Sequence, residues 1–210
     1  AAGKKRFIVL PEWEKIAYSP EDPWTFPTGT IIVKTFWMDL AQGERRVLET
    51  RLLTREPDGR WVPQTYLWSE DQKHARRHVI GAKIELQPVG FDAPFIYQVP
   101  NKNQCKNCHG QMRVLEPIGP RTSQMDMVSS ITGEPLSQLE RMSALGMFDA
   151  GQVQSGAAPT LVDYTDTTKP LADRALSYLQ GNCGHCHNSG GSGGTSGLKL
   201  QLHGTQPIDY

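Results

Sequence analysis

Two pentapeptides constrain this chain more than anything else in it: Cys105-Lys106-Asn107-Cys108-His109 and Cys183-Gly184-His185-Cys186-His187. Between them they hold all 4 cysteines of the 210 residues. Two intervening residues let a single turn of chain carry both sulfurs, and the next residue is a histidine. This spacing matches one tetrapyrrole edge: each cysteine can form a thioether with a vinyl group, and the histidine swings under the iron. The pattern reads as two covalently attached haem c groups. Cys105, Cys108, Cys183 and Cys186 are the attachment points, and His109 and His187 are the proximal iron ligands.

Rival readings of the same residues explain less. A four-cysteine zinc site could use both Cys-x-x-Cys knuckles, but it leaves two trailing histidines unexplained. The knuckles are also far apart for a zinc ribbon, with Cys108 and Cys183 separated by 75 positions. A thioredoxin-like pair needs one Cys-x-x-Cys, not two with histidines. Structural disulfides normally join cysteines more distant in sequence, because closing a very short loop constrains the unfolded chain little.

Covalent haem attachment needs reduced cysteines and haem together outside the cytoplasmic membrane, so the expected location is periplasmic or extracellular. The start Ala1-Ala2 is of the kind left by signal cleavage, and Lys4-Lys5-Arg6 precedes no apolar leader segment. Lysine plus arginine equals aspartate plus glutamate at 22 each, which gives no basic excess for nucleic acid. The longest apolar runs, Phe7 to Leu10 and Ile31 to Val33, fall far short of a membrane span of about 20 residues. The expected partners are redox proteins, with neither nucleic acid nor a membrane span.

The pattern predicts an α+β chain: an antiparallel sheet or sandwich over 1–104, then a helical, haem-binding region over 105–210. Strands are expected at Ile31–Trp37, Arg46–Leu53, Arg60–Trp68, His78–Leu86 and Phe95–Val99, where β-branched and aromatic residues concentrate. Pro57-Asp58-Gly59 suits a hairpin turn. Pro11, Pro20, Pro23 and Pro27 suggest an irregular lead-in. Leu136, Leu139, Met142 and Leu145 recur at helical spacing. A second helix is expected from Pro170 to Leu179, capped by Thr168, stopped by Gly181, with Leu171, Ala175, Leu176 and Leu179 facing inward. The Gly/Ser-rich stretch Ser189–Gly197 is read as a loop around a haem edge. The five tryptophans, Trp13, Trp24, Trp37, Trp61 and Trp68, are expected mostly in the sheet core.

Candidates for the distal iron positions are His203, His74, His78 and Met125. Met112 is too near His109 to cross to the other face, and Met127, Met142 and Met147 are further thioethers. The tail after His187 has 23 residues and no methionine, which leaves His203 as its one strong ligand. Arg121 could pair with a propionate. Pro117 or Pro120 could shape the chain so that a backbone carbonyl accepts the proximal Nδ1–H.

The segments Phe26–Phe36, Glu49–Leu53 and Tyr66–Asp71 resemble a family of bacterial dihaem c-type cytochromes. So do Val99-Pro100, Ile118-Gly119-Pro120-Arg121 and Tyr178–Asn182 around the two motifs. The resemblance implies a β-rich front half, a cytochrome c-like back half, and a continuation beyond Tyr210 toward a methionine-bearing segment. Separately, Gly29-Thr30-x-x-Val33-Lys34, with a haem motif following the sheet, is similar to hydroxylamine-oxidising cytochromes whose haem is cross-linked to a lysine. The expected function is electron transfer between two haems. The alternative is a haem enzyme with one five-coordinate iron acting on peroxide or a nitrogen oxide.

Overall fold

The computed structural model describes residues 2–41, 43–111, 114–128, 135–149, 153, 155–156 and 160–200. Backbone contacts group the chain into two units: Ala1–Pro11 with Thr28–Asn107, and Glu12–Pro27 with Cys108–Tyr210. The sequence suggests a division after residue 104. In the structure the segment Glu12–Pro27 belongs with the C-terminal unit, and the grouping changes within the first pentapeptide.

The first unit is built on a five-stranded antiparallel sheet, β1 (Gly3–Val9), β2 (Ile31–Asp39), β3 (Arg45–Arg55), β4 (Trp61–Trp68) and β5 (Ala75–His78), in that spatial order. Sequential neighbours pair throughout; the links from β2 to β5 are short, and the link from β1 to β2 carries the segment Glu12–Pro27 of the other unit. The turn between β3 and β4 uses Pro57-Asp58-Gly59 as expected. Gly59 has φ +79°, and Asp58 accepts from the Arg60 amide at 3.0 Å. β1 corrects the expected irregular lead-in. The prolines begin only at Pro11, so Lys4 to Val9 keep every amide needed to pair with Phe36 to Ile31.

A second correction concerns the strand expected from His78 to Leu86. It is two strands in different sheets, β5 and β6 (Ala82–Leu86), the latter pairing only with β7 (Phe95–Val99). Gly81 makes the break. Its φ is +78°, and a Cβ there would stand 2.7 Å from the Val99 carbonyl oxygen. A residue with a side chain would be strained by φ and blocked by the neighbouring strand.

Met38, Leu48 and Leu86 form a buried cluster, with Ile84 and Tyr97 of the β6–β7 hairpin packed against it. One buried residue of the sheet is charged. Glu49 has no exposed surface, accepts from Tyr97 Oη at 2.6 Å, and is gripped in a fork by Arg51, with Nε to Oε2 at 2.8 Å and Nη2 to Oε1 at 2.5 Å.

The second unit contains short helices among loops. Helix α1 (Cys105–His109) leads into a small hairpin, β8 (Gly110–Gln111) with β9 (Val114–Leu115). Helices α2 (Thr122–Met125), α3 (Gln138–Ala144) and α4 (Leu171–Asn182) follow. Ser137 and Glu140 form a capping box at the start of α3. Leu139 and Met142 of the expected helical stripe are buried, whereas Leu136 and Leu145 are exposed.

The segment Glu12–Pro27 is tied into this unit by Ile16, whose amide donates to Met147 O at 2.9 Å, and by Trp24, whose Nε1 donates to Thr122 Oγ1 at 3.0 Å. Trp24 also meets Phe148 edge-on at 4.9 Å between centroids. The expectation for the tryptophans therefore changes. Trp24 is core of the C-terminal unit, Trp13 is 88% exposed, and Trp37, Trp61 and Trp68 are half-buried on the sheet.

Helix α4 also differs from its expected form. It continues through Gly181 to Asn182, and the Thr168 hydroxyl bonds Asp166 instead of capping it. Leu171 and Ala175 are exposed, and the buried position is Ser177, whose Oγ accepts from the Val162 amide at 3.0 Å. A polar side chain that holds a loop is invisible to a search for apolar periodicity. Taken together, the chain is α+β, with an antiparallel β front and few helices behind.

Candidate functional site

The first pentapeptide is one helical turn. Asn101 and Gln104 hold its start by reciprocal bonds: Gln104 N to Asn101 Oδ1 and Asn101 N to Gln104 Oε1, both 2.9 Å. Cys105 is half-buried and Cys108 exposed, and no disulfide joins any of the four cysteines. The β8–β9 hairpin reverses the chain so that Glu116 returns to His109. Glu116 N donates to His109 O at 2.8 Å, and His109 Nδ1 lies 2.9 Å from Glu116 O. A carbonyl can only accept, so Nδ1 carries the proton and Nε2 keeps its lone pair. That is the tautomer an iron or zinc ion requires. The carbonyl immediately precedes Pro117, one of the two prolines singled out for this purpose.

The second pentapeptide follows α4 directly. Cys186 N and His187 N both donate to Cys183 O, at 3.0 and 2.9 Å, making a single tight turn. Asn188 is buried, and its Nδ2 donates to the Gly184 and His185 carbonyls at 3.0 and 2.9 Å.

The Gly/Ser-rich stretch then folds back over the motif. Gly193 N donates to Cys186 O and Leu200 N to His187 O, each at 2.9 Å. A Cβ on Gly193 would stand 3.1 Å from His187 Cε1 and Nδ1, so glycine is what lets the loop lie against the ring. Ser196 Oγ donates to Gly193 O at 2.7 Å, which leaves its lone pair to accept from His187 Nδ1 at 3.2 Å. This again leaves Nε2 as the free electron pair. Ser196 was not distinguishable in sequence from the other serines of the loop. Its signal would be a hydroxyl nine residues after the histidine, and that is evident only once the loop closes.

Cys108 of the first motif meets the second motif within the C-terminal unit. Ligand atoms of Cys108, His185 and Cys186 all lie within 4.8 Å of one another. His185, between the two cysteines of the second motif, is half-buried beside Cys108 and Cys186. The residues present fit the group inferred from sequence. Each motif is one turn bearing two cysteines outside any disulfide and a final imidazole whose Nδ1 donates elsewhere.

The distal candidates separate clearly. His74 is exposed and lies 3.8 Å from Asp71, in a turn. His78 ends β5 half-buried, its Nδ1 is buried with no hydrogen-bond partner, and it shares a small cavity with Thr65, Lys102 and Cys105. Met125 ends α2 and is half-buried in the C-terminal unit, while Met142 is core. His203 and Met112 lie outside the described residues. Arg121 donates to Glu21 O at 3.3 Å.

One electrostatic feature had no sequence signal. Burial pushes the Lys34 ammonium down to about 8; the charges of Arg6, Arg51 and Lys4 add to this, and Glu49 opposes it. Tyr97, by contrast, is pushed up by burial and by its bond to Glu49. The signs give a test. From about pH 8 up to the ordinary lysine value of 10.5, the folded chain has lost a proton that the unfolded chain keeps, so stability rises with pH. At still higher pH the unfolded tyrosine ionises first and stability falls. Chemical denaturation of the haem-free chain across pH 7–11 should show this rise and fall. Lys34→Met should stabilise that chain by about 1–2 kcal/mol at pH 7 and flatten the rising limb.

Comparison of the chain with protein-family models, with curated proteins and with solved structures gives no match.

Proposed function

We propose that this protein is a dihaem c-type cytochrome that passes electrons outside the cytoplasm between redox partner proteins. The observation that carries the proposal is the convergence of the two motifs: Cys108 and Cys186 offer sulfurs within 4.8 Å of each other. Two groups tethered at sulfurs this close have neighbouring edges, the arrangement an electron relay needs. Haem iron supplies reversible one-electron chemistry when bound. The protein's own residues anchor it by thioethers, orient His109 through Glu116 O and His187 through Ser196 Oγ, and set ligand basicity by those bonds. In this reading α4, the second motif and the loop over it are the haem-binding segment of a cytochrome c-like region. The resemblance to bacterial dihaem cytochromes points the same way. No helix among the described residues is long and apolar enough to cross a membrane.

A second reading is favoured by the same cluster. Two thiolates and an imidazole make a three-ligand site for a thiophilic ion such as zinc or copper(I), which would exclude haem at Cys108 and Cys186. The two readings separate in one preparation from a host able to attach haem c. Acid–acetone extraction should leave the colour with the protein, and intact mass should exceed that of the chain by two haems. Haem-free protein carrying one equivalent of zinc or copper would overturn the dihaem reading. Carbon monoxide binding to the reduced protein at one haem would move it from carrier to enzyme, because it reports an open iron position.

A further inference from the structure

The pairing register of the five-stranded sheet lines up a row of side chains on one face. Arg6 of β1 is opposite Lys34 of β2, Lys34 is opposite Arg51 of β3, Arg51 is opposite Thr65 of β4, and Thr65 is opposite His78 of β5. Directly opposed residues in antiparallel strands share a face, and like charges so placed repel. The next row on that face places Lys4, Phe36 and Glu49 in register. Lys4, Arg6, Lys34, Arg51 and, by the same alternation along β3, Arg55 therefore share the face with a single carboxylate of β1–β3. That carboxylate, Glu49, is already occupied by Arg51 and Tyr97.

The face is not an ordinary solvated one. Lys34 is half-buried, and its Nζ and the Arg51 guanidinium stand 4.9 and 4.5 Å from the Phe36 ring centroid. Burial lowers the proton affinity of both Arg6 and Lys34. Opposed, partly desolvated cations on a folded sheet cost stability unless an anion joins them. The row also ends at the first motif, since Thr65 and His78 line one cavity with Cys105.

We propose that the Arg6–Lys34–Arg51 row is a carboxylate seat, and that it holds the propionates of the haem tethered at Cys105. The assignment rests on the dihaem reading above. Two arginines and a lysine suit two carboxylates, because the guanidiniums can each take one in a fork while the ammonium bridges as a point charge. Glu49 keeps Arg51 aimed along the sheet.

The test compares the haem-loaded protein with its Lys34→Met, Arg6→Gln and Lys83→Gln variants, the last on the separate β6–β7 hairpin. With propionates seated, Lys34→Met lowers the melting temperature of the loaded protein, the opposite sign to its effect on the haem-free chain. Lys34→Met and Arg6→Gln each make reduction of one haem about tenfold less favourable, about 59 mV for one electron, and leave the other haem unchanged. Both variants also bring a new pH dependence into that potential near the carboxylate range. Lys83→Gln does none of this.

Two haems present with potentials and melting unchanged in Lys34→Met and Arg6→Gln would overturn the seat while leaving the dihaem reading intact. Haem-free protein would overturn both. Stabilisation of the loaded wild-type protein by sodium succinate beyond sodium chloride of equal ionic strength, lost in Lys34→Met, would show a seat open to outside carboxylates and overturn the propionate assignment.

Discussion

Replacing Glu49 with alanine is expected to destabilise the sheet unit by about 3–5 kcal/mol, the cost of breaking a buried, hydrogen-bonded charge pair by removing one partner. Glu49 has no exposed surface and holds Tyr97 Oη at 2.6 Å and Arg51 Nε at 2.8 Å. Its loss leaves a half-buried phenol without this acceptor and adds Arg51 to a face already carrying Lys4, Arg6 and Lys34. Glu49→Gln retains an acceptor for Tyr97 and removes only the charge, so a smaller loss of about 1–3 kcal/mol is expected. Urea denaturation of the two variants checks the difference. Equal losses would mean that the charge of Glu49 does not matter to Arg51. A loss below about 1 kcal/mol in the alanine variant would mean that Arg51 and Tyr97 find water instead.

The second large effect follows from the dihaem proposal and is on haem content. Cys105→Ala with Cys108→Ala is expected to remove one of two covalent haems, and Cys183→Ala with Cys186→Ala the other. The four-fold variant should be colourless after acid–acetone extraction. Intact mass and the reduced absorption spectrum give the count. Single substitutions are informative too. Cys108→Ala and Cys186→Ala alter sulfurs that lie together, so each should shift the potential of the neighbouring haem as well as its own. Cys105→Ala lacks that proximity and should perturb only the first. Independent potentials in all the single variants would mean that the two groups do not interact across the convergence.

The sequence carried the chemistry of the site farther than its geometry. The pentapeptides place four sulfurs and three imidazoles at fixed short spacings, and such spacing is a property of the chain itself. For the same reason the turn at Pro57-Asp58-Gly59 and most strands were legible, since β-propensity and turn chemistry are local. Local reading failed where a neighbour decided the outcome. Gly81 divides an apolar run because the Val99 carbonyl stands where a side chain would go. Residues 3–9 become a strand because β2 offers them a free edge.

Only the tertiary structure selects Glu116 O and Ser196 Oγ as the partners of the two histidines, brings Cys108 beside Cys186, and aligns Arg6, Lys34 and Arg51 across three strands. Positions 6, 34 and 51 have no common period, so nothing in the linear order relates them. Strand register does, and register is set by the pairing of backbone amides and the apolar faces that pairing buries.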